Sequence, residues 1–251
     1  MIYICIPSYD EGPTVGLVLW KIRKVFEEFP REYQLLVADD GSSDATAEIL
    51  EPYTKVLPLT VVRHTRRLGY ARRVEELLEL ALRRSDRPKR DSAILMHADF
   101  SHGPEYLPDF VRRLESGADL VVGEATLRGE PSRGRRLVRR WAPLLLRRAV
   151  RVPGVADTVS GFVAFRLMAL RSVLQSGKAT LGGEGWAANA ELIGRAARQA
   201  RRVETVPIVE RHDLRARDTR IKPLETLRQL WRSAGKIRLG PAARAQEEAA
   251  S

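Results

Sequence analysis

Short apolar runs alternate with stretches of helical spacing along the first half of the chain. Residues 1–6 form an apolar run that ends at Pro7, and the apolar side chains of residues 15–29 then recur at helical spacing until Pro30. A continuous apolar run bounded by turn residues predicts a buried strand, whereas a 3.6-residue spacing predicts an amphipathic helix. The chain is therefore predicted to begin with a strand, a polar loop and a helix.

The same unit is predicted to recur. Further strands are predicted at residues 33–38, 57–62, 94–99 and 119–123, and further helices at residues 45–50, 69–81 and 103–114. Strands that alternate with helices imply a mainly parallel sheet, covered by helices on both faces and built with right-handed crossovers. At 251 residues, the chain has the length of one α/β domain with a full core.

The predicted strand that begins at Ile94 breaks abruptly into polar residues, from His97 to His102. Such a strand would carry Asp99 to the carboxyl end of the sheet, where open α/β folds bind their ligands. Because side chains alternate along a strand, His97 and Asp99 are expected to project from the same face. The alternative is a strand followed by a turn that has no chemical role.

The loops after parallel strands meet at one edge of a sheet, so that edge is predicted to be rich in charge. It would hold Tyr9, Asp10, Glu11, Asp39, Asp40, Asp44, Arg66, Arg67, His97 and Asp99. Clustered acids repel one another unless a positive group lies among them, and a divalent cation that carries a diphosphate would suit this edge. Helix capping by acidic side chains is the alternative, and it explains Asp44 better than Asp39 and Asp40.

The charge balance favours anionic partners. Lys and Arg number 43 against 32 Asp and Glu, which gives a net charge of +11. Nucleic acid is a poor candidate, because aromatic residues make up only 6% of the chain, no recognition motif is present and the acidic edge would repel phosphates. The single cysteine, Cys5, excludes an intramolecular disulfide and favours a reducing cytosol. With no signal peptide and no apolar run near the ~20 residues of a membrane span, any membrane contact is expected to be peripheral, at the cytoplasmic face.

Three motifs, in this order, resemble those of the family 2 inverting glycosyltransferases with the GT-A fold: residues 7–11, 38–46 and 97–105. Within that family, the chain is most similar to dolichol- and polyprenyl-phosphate mannosyl- and glucosyltransferases. Residues 68–71, 119–123 and 157–162, with Glu191 in a helix before residues 206–208, add to the similarity. The resemblance implies a GT-A domain, a nucleotide-diphospho-sugar transferase fold, over residues 1–210. A basic amphipathic insertion at residues 132–152 and a C-terminal basic loop, helix and tail at residues 211–251 complete the expected organisation.

The resemblance implies transfer of a hexose, mannose or glucose, from a nucleotide-diphosphate sugar to a polyprenyl or dolichyl phosphate with inversion. The nucleotide sugar would be held by Pro7, Tyr9, Glu11, Asp39, Asp40, Ala98 and Asp99. The candidate catalytic residues are Asp99, Asp157 and Glu191. Because a lipid phosphate is already ionised near neutral pH, Asp157 and Glu191 need not act as bases.

A divalent metal, Mn²⁺ or Mg²⁺, is also implied, with Asp99 and His97 as its ligands. Asp99 corresponds to the last acid of the family's Asp-x-Asp motif, but His97 replaces the first acid. A neutral imidazole can ligate Mn²⁺, suits Mg²⁺ poorly and supplies one less negative charge. Weaker metal dependence than in the family is therefore expected. The alternative is that His97 bonds a phosphate.

The acceptor site is implied at Asp157, Ser160 and Gly161, with Arg139, Arg217 and Arg220 as phosphate-binding residues. A capping or core-edge role is the alternative for Asp157. The Arg-rich residues 132–152 have the pattern of a helix that lies on a membrane and leads a lipid phosphate to the site. Trp141, Leu144, Leu145 and Leu146 are expected to enter the acyl boundary. The alternative is a solvated basic helix that packs on the domain.

Two other functions stay open at this stage. One is a family 2 transferase that acts on a soluble acceptor. The other is a non-catalytic relative that binds a nucleotide sugar or a membrane as the partner subunit of a membrane protein, an alternative raised by the His97 substitution.

Overall fold

The computed structural model describes residues 1–128, 133–146, 149–174, 181–211, 223–235, 237 and 239. Within these ranges the strands are β1 (Ile2–Ser8), β2 (Tyr33–Asp39), β3 (Leu59–Arg63), β4 (Ser92–Leu95), β5 (Leu120–Arg128), β6 (Val163–Arg166) and β7 (Val203–Arg211). They form one sheet in the order β3-β2-β1-β4-β6-β5-β7, in which only β6 runs antiparallel to its neighbours. The predicted α/β domain with a mostly parallel sheet is confirmed.

Helices cover both faces of the sheet. In the described ranges they are α1 (Gly12–Glu28), α2 (Thr46–Tyr53), α3 (Tyr70–Arg84), α4 (Leu107–Glu115, preceded by a 3₁₀ turn at Pro104–Tyr106), α5 (Arg133–Leu146), α6 (Leu167–Leu174), α7 (Trp186–Gln199) and α8 (Pro223–Ala234). Alternation along β1 divides the core, since Tyr3 and Cys5 pack with α3 and α7 whereas Ile4 and Ile6 pack with α1 and α4. Burial raises the pKa of the Cys5 thiol, which is fully inaccessible in the middle of β1.

The strand register brings the expected loops to one edge. Ser8 at the end of β1 lies opposite Asp39 at the end of β2, and Asp39 lies opposite Arg63 at the end of β3. On the other side of β1, Cys5 pairs with Leu95 at the end of β4. The polar loops that follow these four strands therefore meet at the carboxyl edge of the sheet.

The predicted length of the fourth strand was wrong. β4 ends at Leu95, opposite Val163 of β6, and His97 and Asp99 lie in the loop that follows. One residue before β6, the Phe162 carbonyl accepts a hydrogen bond from the Gly123 N–H of β5 (2.9 Å). Strand alternation therefore does not set the directions of His97 and Asp99.

Much of the predicted basic insertion is the helix α5, and α8 packs against it. Its inward face buries Val138, Ala142 and Leu146, and Leu145 is partly buried against the same core. The expectation that Leu145 and Leu146 face a membrane was therefore wrong, because these two side chains fill the contact with the domain. Ser132, Arg147 and Arg148 lie outside the described residues. No helix in the described ranges is long and apolar enough to cross a membrane.

Candidate active site

A cleft opens at the carboxyl edge of the sheet, above β1, β2 and β4. It is lined by Pro7, Ser8, Tyr9, Glu11, Asp40, Arg67, Tyr70, Arg73, His97, Ala98 and Asp99. All but four of these were predicted as nucleotide-sugar or metal-binding residues; the additions are Ser8, Arg67, Tyr70 and Arg73. Acidic and basic side chains thus line one space, as binding of a metal-bound or otherwise compensated anion requires.

The loop after β1 is fastened to the loop after β2 through Asp10. Its carboxylate accepts hydrogen bonds from the Ser43 N–H (2.7 Å) and hydroxyl (3.0 Å), and its own N–H donates to the Ser42 hydroxyl oxygen (2.8 Å). Asp10 has a φ of 50°, a left-handed conformation that Asp tolerates better than most residues. This fastening holds Tyr9 and Glu11, on either side of Asp10, at the cleft.

Asp44 joins the starts of α1 and α2. One carboxylate oxygen accepts the Gly12 N–H (3.1 Å) and the other accepts the Thr46 N–H (3.0 Å), so each helix has one of its unpaired first-turn donors satisfied. Burial acts to raise the pKa of Asp44, but the hydrogen bonds from Thr46 and Gly12 outweigh it and leave the pKa below its ordinary value of 3.8. The capping alternative is therefore correct for Asp44.

Asp44→Asn is expected to lower the free energy of unfolding by about 1 kcal/mol at pH 7, because an amide cannot accept at both oxygen positions. A depressed folded-state pKa stabilises above the ordinary pKa and ceases to do so as the pH falls through the folded value, so the difference should shrink below pH 3.8. Urea unfolding at pH 7 and at pH 3 measures this. The control is Asp86→Asn, whose side chain is 83% exposed; an equal loss in both variants would contradict the capping role.

Asp40 is buried and orders the loop after β3. Its two oxygens accept the N–H groups of Leu68 and Gly69, each at 2.8 Å, and the Arg73 Nε lies 3.2 Å from Oδ1. Arg73 is itself buried and pairs through Nη1 with Glu76 (2.6 Å). Asp40 therefore lines the cleft with a carboxylate whose hydrogen-bonding capacity is mostly used within the protein.

Gly41, in the loop after β2, packs closely against the backbone of Arg66 in the loop after β3. Gly41 has a φ of +72°, and a Cβ there would lie 2.8 Å from the carbonyl carbon of Arg66. Only glycine satisfies both conditions at that position. Beside it, the Arg67 guanidinium lies 4.0 Å from the centroid of the Tyr9 ring, a cation–π contact that forms a flat wall of the cleft.

His97 and Asp99 both reach the cleft from the loop after β4. The Ser101 N–H donates to Asp99 Oδ1 (3.0 Å), and Phe100 between them has a φ of 60°. The His97 ring stacks on the Tyr70 ring, with centroids 5.5 Å apart and an interplanar angle of 15°. The juxtaposition of His97 and Asp99 was predicted, although a tight turn and not a strand produces it.

Four other predicted site residues lie outside the lining of this cleft: Asp39, Asp157, Ser160 and Gly161. Asp39 accepts the Ser42 N–H (3.0 Å), and Asp157 accepts the N–H groups of Val159 (3.3 Å) and Ala125 (3.4 Å). Ser160 exchanges hydrogen bonds with the backbone of Phe162, and Gly161 lies directly against His97.

Glu191 is buried in α7, where it accepts the Gly182 N–H (2.7 Å) and pairs with Arg195. The segment that contains Gly182 is held from the other side by Glu75 of α3, which accepts the Leu181 N–H. In its turn Glu184 accepts the Ala71 N–H at the start of α3 (3.2 Å). Three carboxylates thus tie the start of α3, beside the cleft, to α7.

Sequence reasoning missed Arg73, Asn189 and Glu184. The signal for Asn189 was the one asparagine among the alanines of α7, and Arg73 differs from its neighbour Arg72 only in that it faces inward. Of the predicted phosphate-binding residues, Arg139 lies in α5, but its side chain is not among those described. Arg217 and Arg220 lie outside the described residues.

Comparison with known proteins identifies the family. Residues 3–174 match the family model described as Glycosyl transferase family 2. The chain belongs to this family. The resemblance in the sequence motifs to a glycosyltransferase is thereby confirmed.

Among curated relatives, the chain is 26% identical over 168 residues to a dolichol-phosphate mannosyltransferase of Pyrococcus furiosus, a match that covers 65% of the chain and 45% of the relative. It is 31% identical over 156 residues to an undecaprenyl-phosphate 4-deoxy-4-formamido-L-arabinose transferase of Pseudomonas fluorescens, covering 61% of the chain and 42% of the relative. The chain thus spans less than half the length of these relatives.

The fold is similar to that of solved glycosyltransferases. Glucosyl-3-phosphoglycerate synthase of Mycobacterium tuberculosis, in complex with phosphoglyceric acid, superposes with a TM-score of 0.62 at 20% identity, over 97% of this chain and 81% of that one. The same enzyme with Mn²⁺, UDP-glucose and phosphoglyceric acid gives a TM-score of 0.59 at 19% identity, over 94% and 80% of the two chains. The GT-A fold inferred from the motifs is confirmed.

Proposed function

We propose that this family 2 glycosyltransferase transfers a hexose from a nucleotide-diphosphate sugar to a polyprenyl phosphate, with inversion at the anomeric carbon. The observation that carries the proposal is the cleft at the carboxyl edge, where Glu11 and Asp99 face the same space as Arg67 and Arg73. The curated relatives support the acceptor class, since their names specify dolichol phosphate and undecaprenyl phosphate.

The nucleotide would lie along Pro7, Tyr9, Glu11 and Ala98. The paired planes of Tyr9 and Arg67 offer the kind of surface on which a base stacks. Asp39 and Asp40 would contribute indirectly, because their carboxylates hold the backbone of the loops that border the cleft.

The diphosphate would lie at Asp99, with a divalent metal. Among the described residues, no three His, Cys, Asp or Glu side chains converge to hold a metal by themselves. Mg²⁺ and similar ions in phosphate-transferring sites are typically held by one or two carboxylates together with the phosphates, so Asp99 fits an ion shared with the donor. His97, which the sequence motif implied as a second ligand, lines the same cleft. Such an ion supplies charge stabilisation for the departing diphosphate.

The remaining residues have positioning roles in this proposal. An ionised lipid phosphate attacks the anomeric carbon without a strong base, so neither Asp157 nor Glu191 has to remove a proton. Asp157 instead fixes the segment that leads to Ser160 and Gly161, which would border the sugar and the acceptor. Glu191 fixes the loop that braces the start of α3.

The acceptor would arrive along the surface of α5 and α8. Leu137, Trp141 and Leu144 recur at helical spacing on the outer face of α5 and are 41%, 43% and 52% exposed, and Trp231 of α8 is 69% exposed. Exposed apolar side chains on an arginine-rich helix of a chain with a net charge of +11 suit an anionic membrane surface.

Vesicle binding tests this surface. Wild-type protein is expected to bind phosphatidylglycerol-containing vesicles, more weakly as salt rises, and a variant with Leu137→Ser, Trp141→Ala and Leu144→Ser should bind at least tenfold less, since each buried apolar side chain contributes roughly 1.5–3 kcal/mol. The matched control is Leu17→Ser with Trp20→Ala on α1, two exposed apolar residues on the opposite side of the sheet. Equal binding by both variants would contradict the assignment of α5.

The transfer reaction itself is tested with labelled UDP-glucose and GDP-mannose, with Mn²⁺, Mg²⁺ or EDTA, and with or without undecaprenyl phosphate. The proposal requires a labelled lipid product whose formation depends on the polyprenyl phosphate. Transfer only to a soluble acceptor, or binding of the nucleotide sugar without turnover, would replace it with one of the two alternatives.

A further inference from the structure

Five aromatic rings form a column that runs from the cleft into the core. Successive centroid distances are 5.5 Å from Tyr70 to His97, 5.1 Å from His97 to His102, 5.4 Å from His102 to Phe162 and 4.3 Å from Phe162 to Phe110. Tyr70 and His97 line the cleft, whereas Phe162 and Phe110 are fully buried. His97 is therefore the member of the column that joins the cleft to the core.

The edge of the His97 ring fits against Gly161. A Cβ at position 161 would lie 2.0 Å from His97 Nε2 and 2.5 Å from Cδ2, far inside contact distance. Gly161 is thus required by the space that the imidazole fills. The ring therefore stacks on Tyr70, contacts the tilted His102 ring and meets Gly161 along this edge.

A second set of contacts links Tyr70 to the segment that contains Gly161. The Tyr70 hydroxyl donates to Asn189 Oδ1 (2.8 Å), and Asn189 Nδ2 donates to the Val159 carbonyl, two residues before Gly161 (3.3 Å). The contacts form a closed circuit from His97 through Tyr70, Asn189 and Val159 to Gly161 and back.

We propose that His97 is a positioning residue, whose clamped ring sets the distance between Asp99 and the segment at residues 157–161. This inference rests on the proposed function, in which Asp99 lies at the donor diphosphate and that segment borders the acceptor. The task needs a flat ring of the right size and does not need the imidazole to ligate a metal. Where the family motif has an acid, this chain has His97. In place of a negative charge, His97 would then supply a rigid contact between Asp99 and residues 157–161.

Three substitutions of His97 distinguish a positioning role of the ring from a role as a metal ligand. His97→Ala is expected to lower kcat by roughly 10–100-fold with the donor KM within about threefold of wild type, because an error near 1 Å in the placement of reactants costs up to about 10²-fold. His97→Phe should recover most of that loss, whereas His97→Asp, which restores a carboxylate, should not. The opposite order, with Asp active and Phe as poor as Ala, would overturn the proposal in favour of a metal ligand.

Mn²⁺ affinity supplies a readout that is independent of turnover. With UDP as the probe and Mn²⁺ followed by electron paramagnetic resonance, His97→Phe and wild type are expected to bind the ion with affinities within about threefold. A tenfold or greater loss in His97→Phe, about 1.4 kcal/mol, would show that the nitrogen is a ligand and overturn the positioning role.

The contact between His97 and Gly161 is tested by the thermal stability of single and double variants. Gly161→Ala should lower Tm by at least about 4 °C in the wild-type background and by less than about 2 °C in the His97→Ala background, because the clashing ring is then gone. Gly235→Ala is the control, since the nearest atom to its new Cβ is 3.8 Å away; it should behave alike in both backgrounds. Equal Tm losses for Gly161→Ala in the two backgrounds would overturn the proposal.

Failure of this inference differs from failure of the proposed function. Wild-type protein that transfers sugar to undecaprenyl phosphate, while His97→Ala matches its kcat, overturns the positioning role alone. Wild-type protein that makes no lipid product overturns the proposed function, on which the positioning role depends.

Discussion

Asp99→Ala is expected to lower the rate of sugar transfer by about 10²–10³-fold, the loss that follows removal of one group that stabilises a developing charge. Asp99 lies in the cleft and not in the core, and its Oδ1 accepts the Ser101 N–H. The variant should therefore keep a cooperative unfolding transition close to that of wild type. Steady-state kinetics with a labelled donor and thermal unfolding measure the two effects.

Asp99→Asn is the matched control for the turn. An amide oxygen can still accept the Ser101 N–H, so this variant keeps the loop and loses only the charge. It should be nearly as inactive as Asp99→Ala if the carboxylate holds a metal diphosphate. A variant Asp99→Asn with near wild-type kcat would show that Asp99 shapes the loop and does not act on the donor.

Asp40→Ala is expected to destabilise the protein by about 3–5 kcal/mol, a large part of the stability of an ordinary domain. The substitution leaves the Leu68 and Gly69 N–H groups without their acceptor and removes an anion from beside the buried Arg73. Equilibrium unfolding in urea measures the loss through the midpoint and slope.

Two further variants define the cause. Asp40→Asn keeps part of the acceptor capacity and should fall between Asp40→Ala and wild type. Arg63→Ala removes a charge that is 68% exposed and lies 3.9 Å from Asp39, so it should cost less than about 1 kcal/mol. A loss below 1 kcal/mol in Asp40→Ala would contradict the structural role and return Asp40 to a purely ligand-binding assignment.

The βα units were predictable because their signals are local. Residues 1–39 contain a buried run, a helix-spaced face and a second run, and the structure has β1, α1 and β2 in those places. The direction of β6 has no local signal, since Val163–Arg166 is four residues long and is antiparallel only through its partners β4 and β5. For the same reason, sequence alone did not show that β4 stops at Leu95.

Some residues of the candidate site could be placed together from the strand order alone, whereas others depend on how the helices pack. The loops after β1, β2 and β4 had to meet, so Tyr9, Glu11 and Asp99 could be placed together from sequence. The bond between Tyr70 and Asn189 joins residues 119 positions apart and depends on how α7 packs on α3. Likewise, Leu146 and Leu144 look alike in sequence, and only the packing of α5 decides that one is buried and the other exposed.

Because Cys5 is buried, its rate of alkylation measures how often the central sheet opens. The thiol is fully inaccessible at the centre of β1, burial raises its pKa, and the sequence has no other cysteine. An alkylating reagent can therefore reach a thiolate only in molecules whose central sheet has come apart, and the labelling rate follows the population of that open state. A ligand bound only by the closed form slows labelling by a factor of one plus its concentration over its Kd. Candidate nucleotides and lipid phosphates can be ranked in this way, before any reaction product is known.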